Sequence, residues 1–256
     1  MKLGFIGTGA LTSAIVTGLK SVDDNSVSVL LSPRNEEIAA GLAARFADVQ
    51  VAPDNQAVLD LCDTVMLAVR PQIAREVLAA LRFRRSHHVI TLVATLSREE
   101  IARLIAPATH VTVAFPMPMV AHRQGATLVC PPDPTAAALF SRLGKVIEVD
   151  SPGELNALGV VAVTFATYFT YLDTLHAWLK DHGVADGKGR DYIASIYQAL
   201  GKAPETRPGA SFTHLAADYA TRGGVNEQVL REMAGRGVFE AFKESLDGAY
   251  RRLAGE

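Results

Sequence analysis

Up to about residue 150, short apolar runs alternate with stretches whose apolar positions return every three or four residues. The runs at 1–6, 27–31, 50–52, 64–69, 89–93, 110–114, 126–129 and 145–149 predict strands. The intervening stretches 36–46, 55–61, 73–81, 97–105 and 136–143 predict helices, with Ser97 as an N-cap and Glu100 closing a capping box. Near-continuous apolar strands separated by helices imply a parallel sheet covered on both faces. Beyond Ser151-Pro152-Gly153-Glu154 the strand pattern ends and helical periodicity runs to the C-terminus. Residues 155–172 carry no charge and are apolar or aromatic around the whole circumference of a helix. Repeated Thr and Tyr argue against a membrane span, and a helix apolar all round in a soluble protein is buried on every side. So small a helical region covers such a helix most readily with a second copy of the chain. The expected class is therefore α/β. A doubly wound N-terminal domain over 1–150 is followed by an all-α domain over 151–256 that holds an obligate homodimer.

The first strand runs directly into Gly7-Thr8-Gly9-Ala10-Leu11-Thr12-Ser13-Ala14. A strand that delivers G-x-G into an apolar helix is the opening of a Rossmann βαβ unit. Gly7 allows the tight turn, Gly9 lets the backbone approach a pyrophosphate, and the first amides of the following helix face the anion. Thr12 stands where a small third residue is usual, with Ala14 two residues later. The second strand ends in Ser32-Pro33-Arg34-Asn35, without the acid that would bind the ribose hydroxyls of NAD. Arg34 is suited to grip a 2′-phosphate through paired hydrogen bonds, so the expected cofactor is NADPH. The plainer alternative is a solvated loop cation.

Composition restricts the function further only by exclusion. Of 256 residues 49% are hydrophobic and 20% charged, enough for a well-buried core in one or two domains. The net charge of −2 gives no electrostatic reason to expect nucleic acid or an anionic membrane as partner. Cys62 and Cys130 do not form a disulfide framework, and Cys62 reads as a buried core thiol. The seven histidines show no metal-ligand spacing, so no metal is expected, and His87-His88 reads as a surface loop before a strand. A strand and glycine turn occupy the N-terminus in place of a signal peptide, which implies a cytoplasmic protein.

With these residues in view, the sequence resembles the pyrroline-5-carboxylate reductases over nearly its whole length. Gly4-Phe5-Ile6-Gly7-Thr8-Gly9 is similar to that family's opening, and Leu67-Ala68-Val69-Arg70-Pro71-Gln72 to its "aVKPq" segment. Phe115-Pro116-Met117-Pro118-Met119 with Gly125-Ala126-Thr127 stands where the family has "MPNTP…GAT". Thr221-Arg222-Gly223-Gly224-Val225-Asn226 resembles its "SPGGTT" loop, and 237–253 its closing helix. The resemblance implies hydride transfer from NADPH to the C=N bond of a cyclic imine carboxylate, yielding proline in amino-acid biosynthesis. It implies a cofactor site of Gly7, Thr8, Gly9, Ala10, Leu11, Ser32, Arg34, Asn55, Ala68, Val69, Arg70 and Pro71. It also implies a substrate site of Thr221, Gly223, Gly224, Val225 and Asn226, with the Asn226 amide at the position of a Thr hydroxyl that bonds the ring nitrogen. On loop chemistry alone, Gly223-Gly224 is equally an ordinary helix-helix turn with Asn226 as N-cap.

Three positions depart from the family pattern. Met117 replaces an Asn, Thr95 stands for a Gly, and 165–171 reads Phe-Ala-Thr-Tyr-Phe-Thr-Tyr in place of a small-residue stretch. Rings fill volume that glycines leave open to a ligand. Two alternatives follow: a related NADPH-dependent reductase of another imine or keto substrate, and a non-catalytic NADP-binding regulatory paralogue.

Overall fold

The computed structural model describes residues 1–22, 26–93 and 96–254. Thr95, one of the departures above, lies outside the described residues. The chain divides into two compact units, Met1–Gly159 and Val160–Glu256.

In the first unit eight strands form one sheet: β1 (Lys2–Ile6), β2 (Ser28–Leu31), β3 (Val49–Val51), β4 (Thr64–Leu67), β5 (His88–Thr91), β6 (His110–Phe115), β7 (Ala126–Cys130) and β8 (Lys145–Glu148). Their order is β3-β2-β1-β4-β5-β6-β7-β8. Pairing is parallel from β3 to β6, as the alternation predicts. β7 then pairs antiparallel with β6, and β8 runs parallel to β7, so the last two strands reverse the sheet's direction. The segment 116–125 between β6 and β7 is short for a helical crossover and contains only the 3₁₀ turn Pro118–His122, which is why the direction flips there.

Helices cover the two faces: α1 (Ala10–Lys20), α2 (Glu36–Arg45), α3 (Asn55–Leu61), α4 (Pro71–Ala79), α5 (Arg98–Leu104) and α6 (Pro134–Phe140). Their starts are chemically marked. Asn35, Asp54, Ser97 and Asp133 each accept a hydrogen bond from a first-turn amide of α2, α3, α5 and α6 respectively. Ser97 caps as expected, but Glu100 turns away from the cap and pairs with Arg75 Nε at 2.6 Å. One core layer joins β1, β2, α1 and α6 through Leu3, Phe5, Ile15, Val16, Leu31 and Phe140. The other packs α3, α4 and α5 on the opposite face through Ile6, Leu59, Val65, Leu67, Leu78 and Ile101. Gly18 lets α1 lie against the 3₁₀ turn, since a Cβ there would meet Val120 O at 2.1 Å.

The second unit is helical: α7 (Pro152–Ala162, which crosses the boundary), α8 (Phe165–Asp181), α9 (Asp186–Gly201), α10 (Ala203–Thr206), α11 (Phe212–Tyr219), α12 (Val225–Gly235) and α13 (Val238–Ala254). The apolar stretch 155–172 is two helices, broken by the turn at Val163-Thr164. By length and composition alone, Pro152–Asp181 is apolar enough to cross a membrane. Within one chain it is not buried on every side: α8 has no buried residue, and Phe169 is 66% exposed. A single chain therefore leaves α8 uncovered.

Candidate functional site

The ends of β1, β2 and β4 meet at a cleft of about 520 Å³ lined by Gly7, Thr8, Gly9, Arg34, Asn35, Glu36, Ala68, Val69, Arg70 and Ile73. Gly7 sits at φ +104°, and a Cβ there would lie 2.5 Å from the Ala68 carbonyl. Only glycine lets the turn after β1 pass so close to the turn after β4. Gly9 is different. Its backbone is extended, and a Cβ would meet nothing within 4 Å. The space that Gly9 leaves open faces no protein atom, which fits a residue kept small for a ligand.

The turn is held from beneath by hydroxyls. Ser32 Oγ accepts from the Gly7 N–H at 2.9 Å, Thr8 Oγ1 donates to the Ser32 carbonyl at 2.7 Å, and Thr12 Oγ1 donates to the Gly7 carbonyl at 2.7 Å. Ser32 is fully buried, so its hydroxyl shapes the glycine turn and does not face the cleft. Arg34 is exposed and lines the cleft where β2 ends, with Asn35 and Glu36 beside it. Asn35 has a second task, because its side chain caps α2. Arg70 lines the opposite wall and is followed by Pro71 at the first position of α4. Ala10 and Leu11 open α1, and Asn55 opens α3; none of the three lines the cleft. Glu36 and Ile73 were not singled out from the sequence, and Thr12 was noted only for its place in the glycine turn, not for its hydroxyl. Thr12 is legible in principle, as a hydroxyl one helical turn from the glycine turn, but periodicity marks it only as core.

The loop expected to hold a substrate carboxylate lies in the helical unit. Gly223 has φ +74° and Gly224 is the N-cap of α12. The two glycine amides are not free: Gly223 N–H donates to Glu227 Oε2 at 2.7 Å, and Gly224 N–H donates to the Thr221 carbonyl at 2.8 Å. Glu227 follows from α12 geometry, since a residue in the first turn points back at the loop. Asn226 stands inside the first turn of α12, one position past Val225, so it is not the N-cap; both are exposed. Their amides have no partner four residues earlier in the helix and face the approach to its positive end.

Among the described residues the same unit holds two further hollows. One, of about 560 Å³, is lined by Tyr168, Tyr197, Phe212, Leu215 and Tyr219. Tyr197 and Tyr171 hydroxyls meet at 2.5 Å, and burial together with that contact pushes the Tyr197 phenol far above its usual range. The other, of about 470 Å³, is lined by Phe169, Asp173, His176, Asp186 and Arg190. His176 Nε2 bonds the Asp186 carbonyl at 3.0 Å.

Histidine and cysteine placement completes the picture. His87 is fully buried, contrary to the expected surface loop. Its Nδ1 accepts from the Arg84 N–H and its Nε2–H donates to the Leu59 carbonyl, both at 2.9 Å, so two backbone groups fix its neutral tautomer. Burial pushes its pKa down. Burial raises the pKa of the Cys62 and Cys130 thiols.

A glycine turn against an open cleft, at the point where β1 gives way to α1, is the arrangement of a dinucleotide-binding domain. Residues 2–95 match the family model described as NADP oxidoreductase, coenzyme F420-dependent. The pyrroline-5-carboxylate reductase of Synechocystis sp. is 26% identical over 98% of this chain and 97% of its own length. Among solved structures, 1-pyrroline-5-carboxylate reductase from Streptococcus pyogenes shares the fold with a TM-score of 0.86 at 20% identity, covering 100% of this chain and 99% of that one. Pyrroline carboxylate reductase from Plasmodium falciparum, solved with NADP bound, gives 0.83 at 14% identity, covering 99% and 97%. At this low identity the chain resembles pyrroline-5-carboxylate reductases over nearly its whole length and shares their fold.

Proposed function

We propose that this protein is a cytoplasmic homodimer that reduces 1-pyrroline-5-carboxylate to L-proline with NADPH. The observation that carries the reading is the open space at Gly9 in the cleft that Arg34 also lines, in a chain related to these reductases end to end. A protonated cyclic imine is already electrophilic, so the protein's task is to orient and to exclude water. Bound NADPH supplies the hydride. The first amides of α1 and the glycine turn hold the pyrophosphate, and Arg34 grips the 2′-phosphate. In the helical unit, the amides of Val225 and Asn226 dock the carboxylate at the positive end of α12. The Asn226 side chain orients the ring nitrogen.

The homodimer reading rests on α8 and its neighbours, where Phe165, Phe169, Trp178, Tyr192 and Phe212 are each at least 39% exposed. Aromatic surface on that scale calls for a partner, and a second copy brings the same faces. A second reading, reduction of another imine or keto carboxylate, is favoured by the rings of 165–171, since Tyr168 narrows the aromatic hollow. Oxidation of NADPH followed at 340 nm against pyrroline-5-carboxylate, other cyclic imines and keto acids tests all readings together. Turnover highest with pyrroline-5-carboxylate supports the first. A better substrate elsewhere in the panel selects the second, and NADPH binding without turnover of any substrate identifies a non-catalytic paralogue.

A further inference from the structure

At the edge of the sheet opposite the cofactor cleft, three ligand-type side chains converge. His88 and His110 are the first residues of β5 and β6 and register partners in that parallel pair. Their rings therefore share a face and stack, with centroids 3.8 Å apart and planes 10° from parallel. The cleft forms where strands end; this edge is where β5 and β6 begin. Because β7 runs antiparallel, its far end returns to this edge and places Asp133, the N-cap of α6, against both rings. Asp133 Oδ2 lies 2.9 Å from His88 Nε2 and 2.8 Å from His110 Nε2.

The three are not fully satisfied by one another. His110 makes a hydrogen bond to Asp133, whereas His88 Nε2, though equally near in distance, lacks hydrogen-bond geometry and is buried without a partner. Burying an imidazole nitrogen unpaired is costly, and here it is aimed at a buried carboxylate. Burial pushes the pKa of His88 down, against the pull of the Asp133 carboxylate. Burial alone would raise Asp133, but the Ala136 amide and the two imidazoles outweigh it and keep the carboxylate ionised.

We propose that His88, His110 and Asp133 form a binding site for a borderline divalent transition-metal ion, typified by Zn²⁺, with solvent as the fourth ligand. Two imidazoles and a carboxylate are a donor set for such ions, and three protein ligands with an open position is a familiar zinc arrangement. The ligand atoms lie within 4.8 Å of one another. Ligands of a tetrahedral zinc, each about 2.0–2.1 Å from the ion, stand roughly 3.3 Å apart, so the observed contacts need open only slightly. Near-parallel rings do not both aim a lone pair at one point. His110, whose side chain is 61% exposed, is free to turn toward the ion while His88 and Asp133 stay packed. Bound there, the ion ties β5, β6 and the start of α6 together, a structural role remote from hydride transfer.

The test uses the full-length protein, stripped with chelator and dialysed against Zn²⁺. One zinc per chain should survive gel filtration, and the melting temperature should rise by a few degrees relative to the stripped protein. Co²⁺ should give the intense visible bands of a four-coordinate site. His110→Ala removes an exposed ligand without disturbing the core, and Asp133→Asn keeps a capping residue on α6. Both should abolish stoichiometric uptake and the thermal shift while leaving NADPH affinity unchanged. A wild type that retains no zinc overturns the proposal, as does uptake that both variants preserve. In either case the cluster is a hydrogen-bonded His-Asp-His contact only.

Discussion

Gly7 and Gly9 belong to one motif but serve different masters, and alanine at each should separate them. At Gly7 a Cβ would lie 2.5 Å from the Ala68 carbonyl, with the backbone at φ +104°. The left-handed conformation costs about 1–3 kcal/mol and the overpacking a further ~1–3 kcal/mol. Gly7→Ala should therefore lower stability by roughly 2–6 kcal/mol, or on the order of 5–20 °C in melting temperature for a chain of this size. At Gly9 the backbone is extended and a Cβ meets nothing, so Gly9→Ala should change stability by less than about 1 kcal/mol. Its effect falls on the cofactor. A methyl in that space keeps a pyrophosphate from the amides, and losing one charge-assisted bond of ~1.5–3 kcal/mol weakens NADPH roughly 10- to 150-fold. Thermal denaturation without ligand and fluorescence titration with NADPH measure the two effects separately. If Gly9→Ala binds NADPH like wild type, the space beside Gly9 is not the pyrophosphate site. If the two variants lose equal stability, the packing argument is wrong.

Arg34→Ala should weaken NADPH roughly 10- to 150-fold and leave NADH unchanged, whereas Ser32→Ala, which strands the Gly7 N–H, should weaken both cofactors alike and lower stability by about 1–3 kcal/mol. Equal loss of both cofactors in Arg34→Ala would remove its assignment to the 2′-phosphate. His87 is held neutral, with its folded pKa below the usual 6.5. The stability it contributes is thus present above about pH 6.5 and lost as pH falls through the depressed value, because the unfolded chain takes up the proton first. Urea midpoints should fall below pH 6.5 in wild type and flatten in His87→Gln, at a cost near neutral pH of about 1–2 kcal/mol. Phe169→Glu places an unpaired charge in the proposed dimer face, and sedimentation should show dissociation raised at least ~100-fold, or aggregation; wild type sedimenting as a monomer at micromolar concentration refutes the interface. Glu227→Gln should lower the Michaelis constant for a carboxylate substrate several-fold by removing the negative charge beside the Gly223 amide. An unchanged constant means that the carboxylate docks elsewhere.

The cofactor half of the protein was legible because its signals are local. A glycine turn between an apolar strand and an apolar helix is written in consecutive residues, and the position of Arg34 follows from the strand before it. What escaped was whatever depends on register. Ser32 was read as a phosphate contact because it ends β2, but the fold turns its hydroxyl inward onto Gly7. His87 and His88 are adjacent in sequence and were read as loop, yet one is sealed by two backbone bonds and the other opens a strand. The reversal at β7 carries no periodic signature, because an antiparallel strand buried on both faces has the same apolar run as a parallel one. The His-Asp-His cluster is a product of that reversal, so no spacing rule applied to the chain would reveal it.

The Gly223-Gly224 loop shows a different limit. Two glycines before a helix read equally as a substrate loop and as a plain turn, and which amides stay free depends on the helix that follows. Once α12 forms, Glu227 is itself the anion closest to the loop, and it takes the Gly223 amide. Gly224→Ala is consequently not a clean probe of substrate binding, since a Cβ there would stand 2.9 Å from the Thr221 carbonyl and distort the turn. Charge at Glu227 can be removed without moving the backbone, so Glu227→Gln separates the two roles. A carboxylate that docks on Val225 and Asn226 alone feels Glu227 only as a repelling neighbour. One that needs the Gly223 amide must displace it, and then the variant's gain in affinity should disappear for substrates without a carboxylate.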